Sequence, residues 1–223
     1  MSVDLIVKRR AQMKRAIKQS ILLFVGFLIT SQQILTKGLL YDIDHHVVNM
    51  KHYRITGMAS HFLLAMDDLG LRWFTATVLL VSAAIIGWRF KSFRPLNLSL
   101  LALLSLNLVV GCAKLVFGRS KPRLHFDELH VGGLSYPSGH AANALISWGL
   151  LAYIIYRYTK RAPFNGVNLT WVVVLFSVAV CVASLIRNTH WLSDLIGGLF
   201  LGGSILVAII AVDRYFPSKK QPS

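Results

Sequence analysis

The sequence predicts an all-α bundle of six membrane-spanning helices, and three observations lead there. Of its 223 residues, 55% are hydrophobic and 15% charged, with a mean hydropathy of +0.57; a soluble domain of this size has a large surface to cover with polar groups. Six uncharged runs approach or exceed the roughly 17–25 residues that carry a helix across a hydrocarbon core. The basic residues gather in alternate connections between those runs, as they do in membrane proteins. The same composition excludes a disordered chain. Two cysteines exclude a disulfide scaffold, and 16 glycines without a period exclude collagen.

The first span covers residues 19–36, behind a basic tail over 1–18. That tail is long and no small-x-small site follows 29–34, so the segment reads as a retained span rather than a signal peptide. The apolar run 55–66 is too short to cross and reads as an interfacial helix. The second span, 73–88, is slightly short, but Arg72 and Arg89 can snorkel to the two interfaces. The third covers 95–117 and ends in a Gly and Pro break. The uncharged stretches 129–156 and 162–186 exceed a span, so the fourth and fifth helices occupy 138–156 and 168–186. The sixth covers 194–212 and leaves a tail at 213–223. Cys112 and Cys181 lie within spans and read as small packing residues. With no internal repeat, low-complexity tract or soluble domain, residues 1–223 form one integral membrane domain.

Lys8, Arg9, Arg10, Lys14, Arg15 and Lys18 precede the first span; Arg89, Lys91 and Arg94 join the second to the third. Arg157, Lys160 and Arg161 join the fourth to the fifth, and Arg214, Lys219 and Lys220 follow the sixth. These segments hold 15 of the 24 basic residues and fall on one side, which is therefore expected to be cytoplasmic, with both termini inside. The formal charge of +15 would suggest nucleic acid in a soluble protein. Here it reads as topology, and no nucleic-acid partner is expected. The opposite side gathers all eight histidines and seven of the nine acidic residues. Such a surface suits a reaction centre, and it also suits ordinary polar loops.

Three clusters stand out on that side. Lys114, Arg119, Lys121 and Arg123 place four cations within ten residues, a set suited to a dianionic oxyanion group or to snorkelling among lipid headgroups. In Ser135-Tyr-Pro-Ser-Gly-His140, Pro137 fits a first helical turn, and the N–H groups of Ser138, Gly139 and His140 would then point outward as an anion site. The alternative is an ordinary helix start. His190 and Asp194 are four apart, so on a helix they share a face. Asp194 can then fix one ring nitrogen and leave the other as a nucleophile; the alternative is a structural interface pair.

Lys114 to Pro122, Pro137-Ser138-Gly139-His140, and His190 with Asp194 resemble the three signature motifs of the type 2 phosphatidic acid phosphatase (PAP2) superfamily. That superfamily includes integral membrane lipid-phosphate phosphatases and soluble vanadium haloperoxidases. The resemblance covers the last four spans, and residues 42–71 are similar to the family's external amphipathic helix. Two positions depart from the pattern. The first motif ends in Lys121-Pro122 where the family has Arg-Pro, which keeps the charge but loses the planar fork. Ser184 stands where the family has an Arg six residues before the histidine, and Arg187 lies one turn later.

The resemblance implies a phosphatase in which His190 attacks phosphorus, Asp194 braces the ring, and His140 protonates the leaving oxygen and then activates water. Lys114, Lys121, Ser138 and Gly139 would bind the phosphate oxygens. Arg187 would replace the missing arginine, and Arg119 and Arg123 would be further donors. The scheme calls for no cofactor and no metal ligand. The expected substrate is a lipid phosphate or diphosphate in the outer leaflet of a bacterial-type plasma membrane: a polyprenyl diphosphate, phosphatidate or phosphatidylglycerophosphate. Two alternatives stand beside hydrolysis. One is phosphotransfer from the same phosphohistidine to a second lipid. The other is a non-catalytic or metal-binding membrane protein using Asp44, His45, His46, His52 and His61, although adjacent His45 and His46 would diverge on a helix.

Overall fold

The computed structural model describes residues 3–49, 56–124, 127–159 and 168–216. Among these residues there are eight α-helices, one short 3₁₀ turn at Pro122–Leu124 and no strand. A long α1 (Val3–Leu35) leads into two short helices, α2 (Leu39–Asn49) and α3 (Met58–Asp68). Five longer helices follow: α4 (Arg72–Arg89), α5 (Arg94–Phe117), α6 (Gly139–Thr159), α7 (Leu169–Ile186) and α8 (Leu192–Tyr215). Four segments are each long and apolar enough to cross a membrane alone: residues 10–35, α5 with the residues just beyond it, α7 and α8. The α3–α4 pair qualifies together, bent by 54°. The chain is a multi-pass membrane protein.

The 42–71 region is not one amphipathic helix. Gly57, with a left-handed φ of 68°, opens α3 as a separate element, a conformation that glycine adopts without strain. His52, His125, Lys160, Arg161, Lys219 and Lys220 lie outside the described residues.

α8 packs against α1, α2, α5 and α6, while α6 also meets α4 and α7. The shared core holds Ile146, Leu150 and Ile154 from α6, Leu201 and Ile209 from α8, and Leu98, Leu106 and Val110 from α5. Leu104, Leu108, Trp171 and Leu175 point outward and are largely exposed. In a bilayer that exposure costs nothing, since lipid tails are as apolar as leucine; helices there associate through close packing. α6 and α8 approach each other closely. A Cβ on Gly198 would lie 2.5 Å from the Ser138 carbonyl oxygen, and one on Gly202 would lie 3.0 Å from Ala142 Cα. These glycines, four apart, form the small-residue stripe that lets two backbones meet. Cys112 is exposed rather than packed inside, and Cys181 is half-buried.

The two ends of the bundle are chemically distinct. Where α5 begins and α6 and α8 end, buried Asp213 accepts from Arg94, Arg157 and Tyr153 and ties the three helices together. The described histidines and the three motifs lie at the other end.

Candidate active site

His190 sits in the turn between α7 and α8, only 6% exposed. Its Nδ1 lies 3.4 Å from Asp194 Oδ2. The two residues do not share a helical face: α8 begins at Leu192, so His190 lies outside the helix and Asp194 occupies its first turn. The carboxylate reaches back over the helix start, as an acidic residue at that position does in a capping box. Oδ2 also accepts the Trp191 N–H at 3.0 Å and the Ser135 hydroxyl. With Nδ1 turned to Asp194, Nε2 is the nitrogen left for chemistry.

His140 lies in the first turn of α6, its ring centroid 6.1 Å from that of His190 and tilted by 58°. α6 starts at Gly139, so Pro137 precedes the helix rather than joining its first turn. The Ser138 N–H is therefore not free for an anion. It donates to the Asp194 carbonyl at 2.9 Å, while its hydroxyl accepts the Ala141 N–H at 3.3 Å. Among the described residues, the first-turn N–H groups of Gly139 and His140 donate to no backbone carbonyl outside the helix, which keeps the anion-binding character of a helix start. Lys114 lies over them: its Cε is 3.8 Å from where a Gly139 Cβ would be, and its Nζ donates to the Leu134 carbonyl. α5 ends just beyond, at Gly118 in the left-handed region, which turns the chain toward Lys121. Lys121 is exposed and forms no ion pair among the described residues.

The arginines divide by role. Arg187 pairs with Asp67 at the end of α3, and Ser184, at the family's arginine position, donates to the other oxygen of the same carboxylate at 2.8 Å. Arg123 donates from Nε and Nη2 to the Arg187 carbonyl at 3.1 and 2.9 Å, so it braces the turn before His190. Arg119 is fully buried and donates to Asp44, Asp127, Asp194 and Ser193. All its N–H groups are engaged, which removes it from the phosphate donors expected from sequence.

Asp67, Asp127 and Ser193 enter this neighbourhood without a sequence signal of their own; Ser135 opens the second motif, and Asp44, read from sequence only as a metal-binding alternative, accepts from Arg119 and Ser193. Burial pushes the Asp44 carboxyl above its ordinary value, with Arg119 and the Ser193 donors pulling against it. Burial and the neighbouring Asp127 charge likewise raise the Tyr41 phenol. His45 approaches Asp127 to 3.6 Å, but no three His, Cys, Asp or Glu side chains converge on a metal position among the described residues.

No curated protein matches the chain. Its fold matches the crystal structure of a transmembrane PAP2-type phosphatidylglycerolphosphate phosphatase from Bacillus subtilis, with a TM-score of 0.78 and 18% identity, over 91% of this chain and 99% of that one. That likeness is one of fold. A family model for the PAP2 superfamily matches residues 95–217, more than half of the sequence and all three motif segments. The chain belongs to the PAP2 superfamily.

Proposed function

We propose that the chain is a lipid phosphatase that hydrolyses a lipid phosphate or diphosphate through a phosphohistidine at His190. One observation carries this reading: a braced imidazole, a second imidazole 6.1 Å away, and Lys114 above the Gly139 N–H. A nucleophile works at about 3–3.5 Å and a proton donor at about 2.6–3.2 Å, so two rings at this separation can address one phosphoryl group.

His190 Nε2 attacks phosphorus, the bond to the lipid oxygen breaks, and His140 gives that oxygen a proton. Water then attacks the phosphohistidine, His140 takes the water's proton, and the N–P bond breaks to release phosphate and restore His190. Lys114, Lys121, the Gly139 N–H, the Ser138 hydroxyl and Arg187 hold the non-bridging oxygens. A single such donor is worth roughly 3 kcal/mol in the transition state. These steps balance on side chains and water.

The site lies at the ends of apolar helices, where a lipid presents its phosphate without leaving the bilayer. The positive-inside pattern puts that end outside, on the outer leaflet of a bacterial-type plasma membrane. The fold neighbour is a phosphatidylglycerolphosphate phosphatase, which makes that lipid a leading substrate beside phosphatidate and polyprenyl diphosphate. The test is a panel of these three in detergent, measuring free phosphate for wild type and His190→Ala. Release by the wild type, reduced at least about 10³-fold in the variant, is expected. Equal rates would overturn the reading, and phosphate recovered on a second lipid would replace hydrolysis by transfer.

A further inference from the structure

Arg119 is the most fully engaged polar side chain at this end of the bundle. It has no solvent exposure, and each of its five N–H groups has an acceptor. Nε donates to Asp127 Oδ1 at 2.8 Å and Nη2 to Asp127 Oδ2 at 2.5 Å. Nη2 also donates to Asp44 Oδ2 at 2.9 Å. Nη1 donates to Ser193 Oγ at 2.7 Å and to Asp194 Oδ1 at 2.9 Å. The guanidinium lies 5.1 Å from the Trp191 ring, whose indole N–H donates to the Ser120 carbonyl at 2.9 Å. A guanidinium so engaged has no donor left for a substrate phosphate.

Its position suits another task. Asp194 Oδ2 serves His190, Trp191 and Ser135, but a carboxylate held at one oxygen can still rotate about its own bond. Arg119 holds the other oxygen and so fixes the plane in which Oδ2 meets the imidazole. The cluster also contains three carboxylates around one guanidinium. That excess of negative charge favours a positive ring at His190, which is the form the imidazole takes when phosphorus bonds to Nε2.

Asp44 extends the network to a separate element. It is the buried residue of α2, and it accepts the Ser193 N–H at 2.8 Å and the Ser193 hydroxyl at 2.5 Å. A carboxylate at the start of α8 is favoured by the helix dipole. α2 is therefore docked onto the same turn that carries the nucleophile's brace.

We propose that Arg119 is a positioning residue for the nucleophile, acting through Asp194, and that Asp44 and Asp127 set Arg119 in turn. Docking of α2 is thus part of assembling the catalytic geometry. The inference rests on His190 being the nucleophile, as proposed above.

The test uses the full chain in detergent and the panel lipid turned over fastest. Arg119→Gln, Asp194→Asn and the double variant are compared for kcat, KM and thermal unfolding. Outer groups that orient a reactive residue typically carry a 10–100-fold effect. Arg119→Gln should therefore lower kcat by at least about tenfold and leave KM within about twofold. On the Asp194→Asn background it should cost almost nothing further, because the two residues act as one unit. If Arg119→Gln does not fold, Asp127→Asn removes one of the arginine's acceptor oxygens and the negative charge that holds it, without touching Asp194. It should show a kcat loss that disappears on the Asp194→Asn background. An unchanged kcat, a raised KM at constant kcat, or losses that multiply in the double variant would overturn the inference while leaving His190 in place. A His190→Ala variant as active as wild type would overturn the nucleophile itself.

Discussion

Asp194 receives four donors on two oxygens, and three of them meet at Oδ2. That crowding makes His190 a fixed group rather than a freely rotating ring, which is the arrangement a nucleophile needs. Asp67 does comparable work on the other flank, where one carboxylate holds both Ser184 and Arg187. Arg187 and Ser184, the position where the family carries its arginine, thereby meet on the same carboxylate. Replacing Arg187 by Ala should lower kcat/KM by about 10²-fold, the usual cost of losing one phosphate donor. Adding Ser184→Arg to that variant should recover most of the loss, because the new guanidinium meets the same Asp67. Phosphate-release kinetics on the two variants check this, and an unchanged rate in Arg187→Ala would show that Arg187 is not the substitute. His140, His190 and Asp194 are legible in the sequence because each sits in a short contiguous motif. The roles of Asp44, Asp67 and Asp127 are not, because they reach the site from three separate segments and only the folded chain brings Asp44 and Asp127 to Arg119 and Asp67 to Arg187. Arg119 illustrates the same limit: a cation near a phosphate motif suggests a phosphate donor, whereas its burial among three carboxylates makes it a brace.

At the scale of elements, the meeting of α6 with α8 brings His140 to His190. The Ser138 N–H donates to the Asp194 carbonyl across that junction, and Gly198 provides the space. Gly198→Ala places a methyl group 2.5 Å from the Ser138 carbonyl oxygen, so one backbone must move. Overpacking of this kind costs about 1–3 kcal/mol. The variant should unfold at lower temperature in detergent and lose kcat even where it remains folded, because the shift separates the two imidazoles. Full activity would show that this junction does not set the catalytic distance. The helices themselves are readable from long uncharged runs bounded by arginine, lysine, glycine and proline. The 42–71 region is less so, since only the apolar run 55–66 stands out within it, whereas two helices, α2 and α3, occupy its described residues. The helix start at Gly139 differs from the expected one because the Ser138 N–H is taken by Asp194, a partner 56 positions away in sequence.

Across the whole molecule, charge separates two ends with different work. One end holds Asp213 between Arg94 and Arg157 and is set to stabilise the bundle. The other gathers the described histidines with Lys114 and Lys121, the cations proposed to hold phosphate. If the first end faces the cytoplasm, as the positive-inside pattern requires, the α4–α5 turn is internal and α3 external. Phe93→Cys, at a position 82% exposed, should then react with an impermeant thiol reagent only after cells are permeabilised. His61→Cys should react in intact cells, both tested with Cys112 and Cys181 replaced by Ser. The reverse labelling pattern would place the catalytic end inside and move the substrate to the inner leaflet.

The central claim is covalent, and a rapid quench tests it directly. Wild-type protein mixed with a lipid carrying a labelled terminal phosphate, stopped in alkali during turnover and digested, should yield label on the peptide bearing His190. That label should be lost in acid, as an N–P bond requires, and be absent from His190→Ala. Turnover at full rate with no label on His190 at any quench time, or the same label in His190→Ala, would contradict the account.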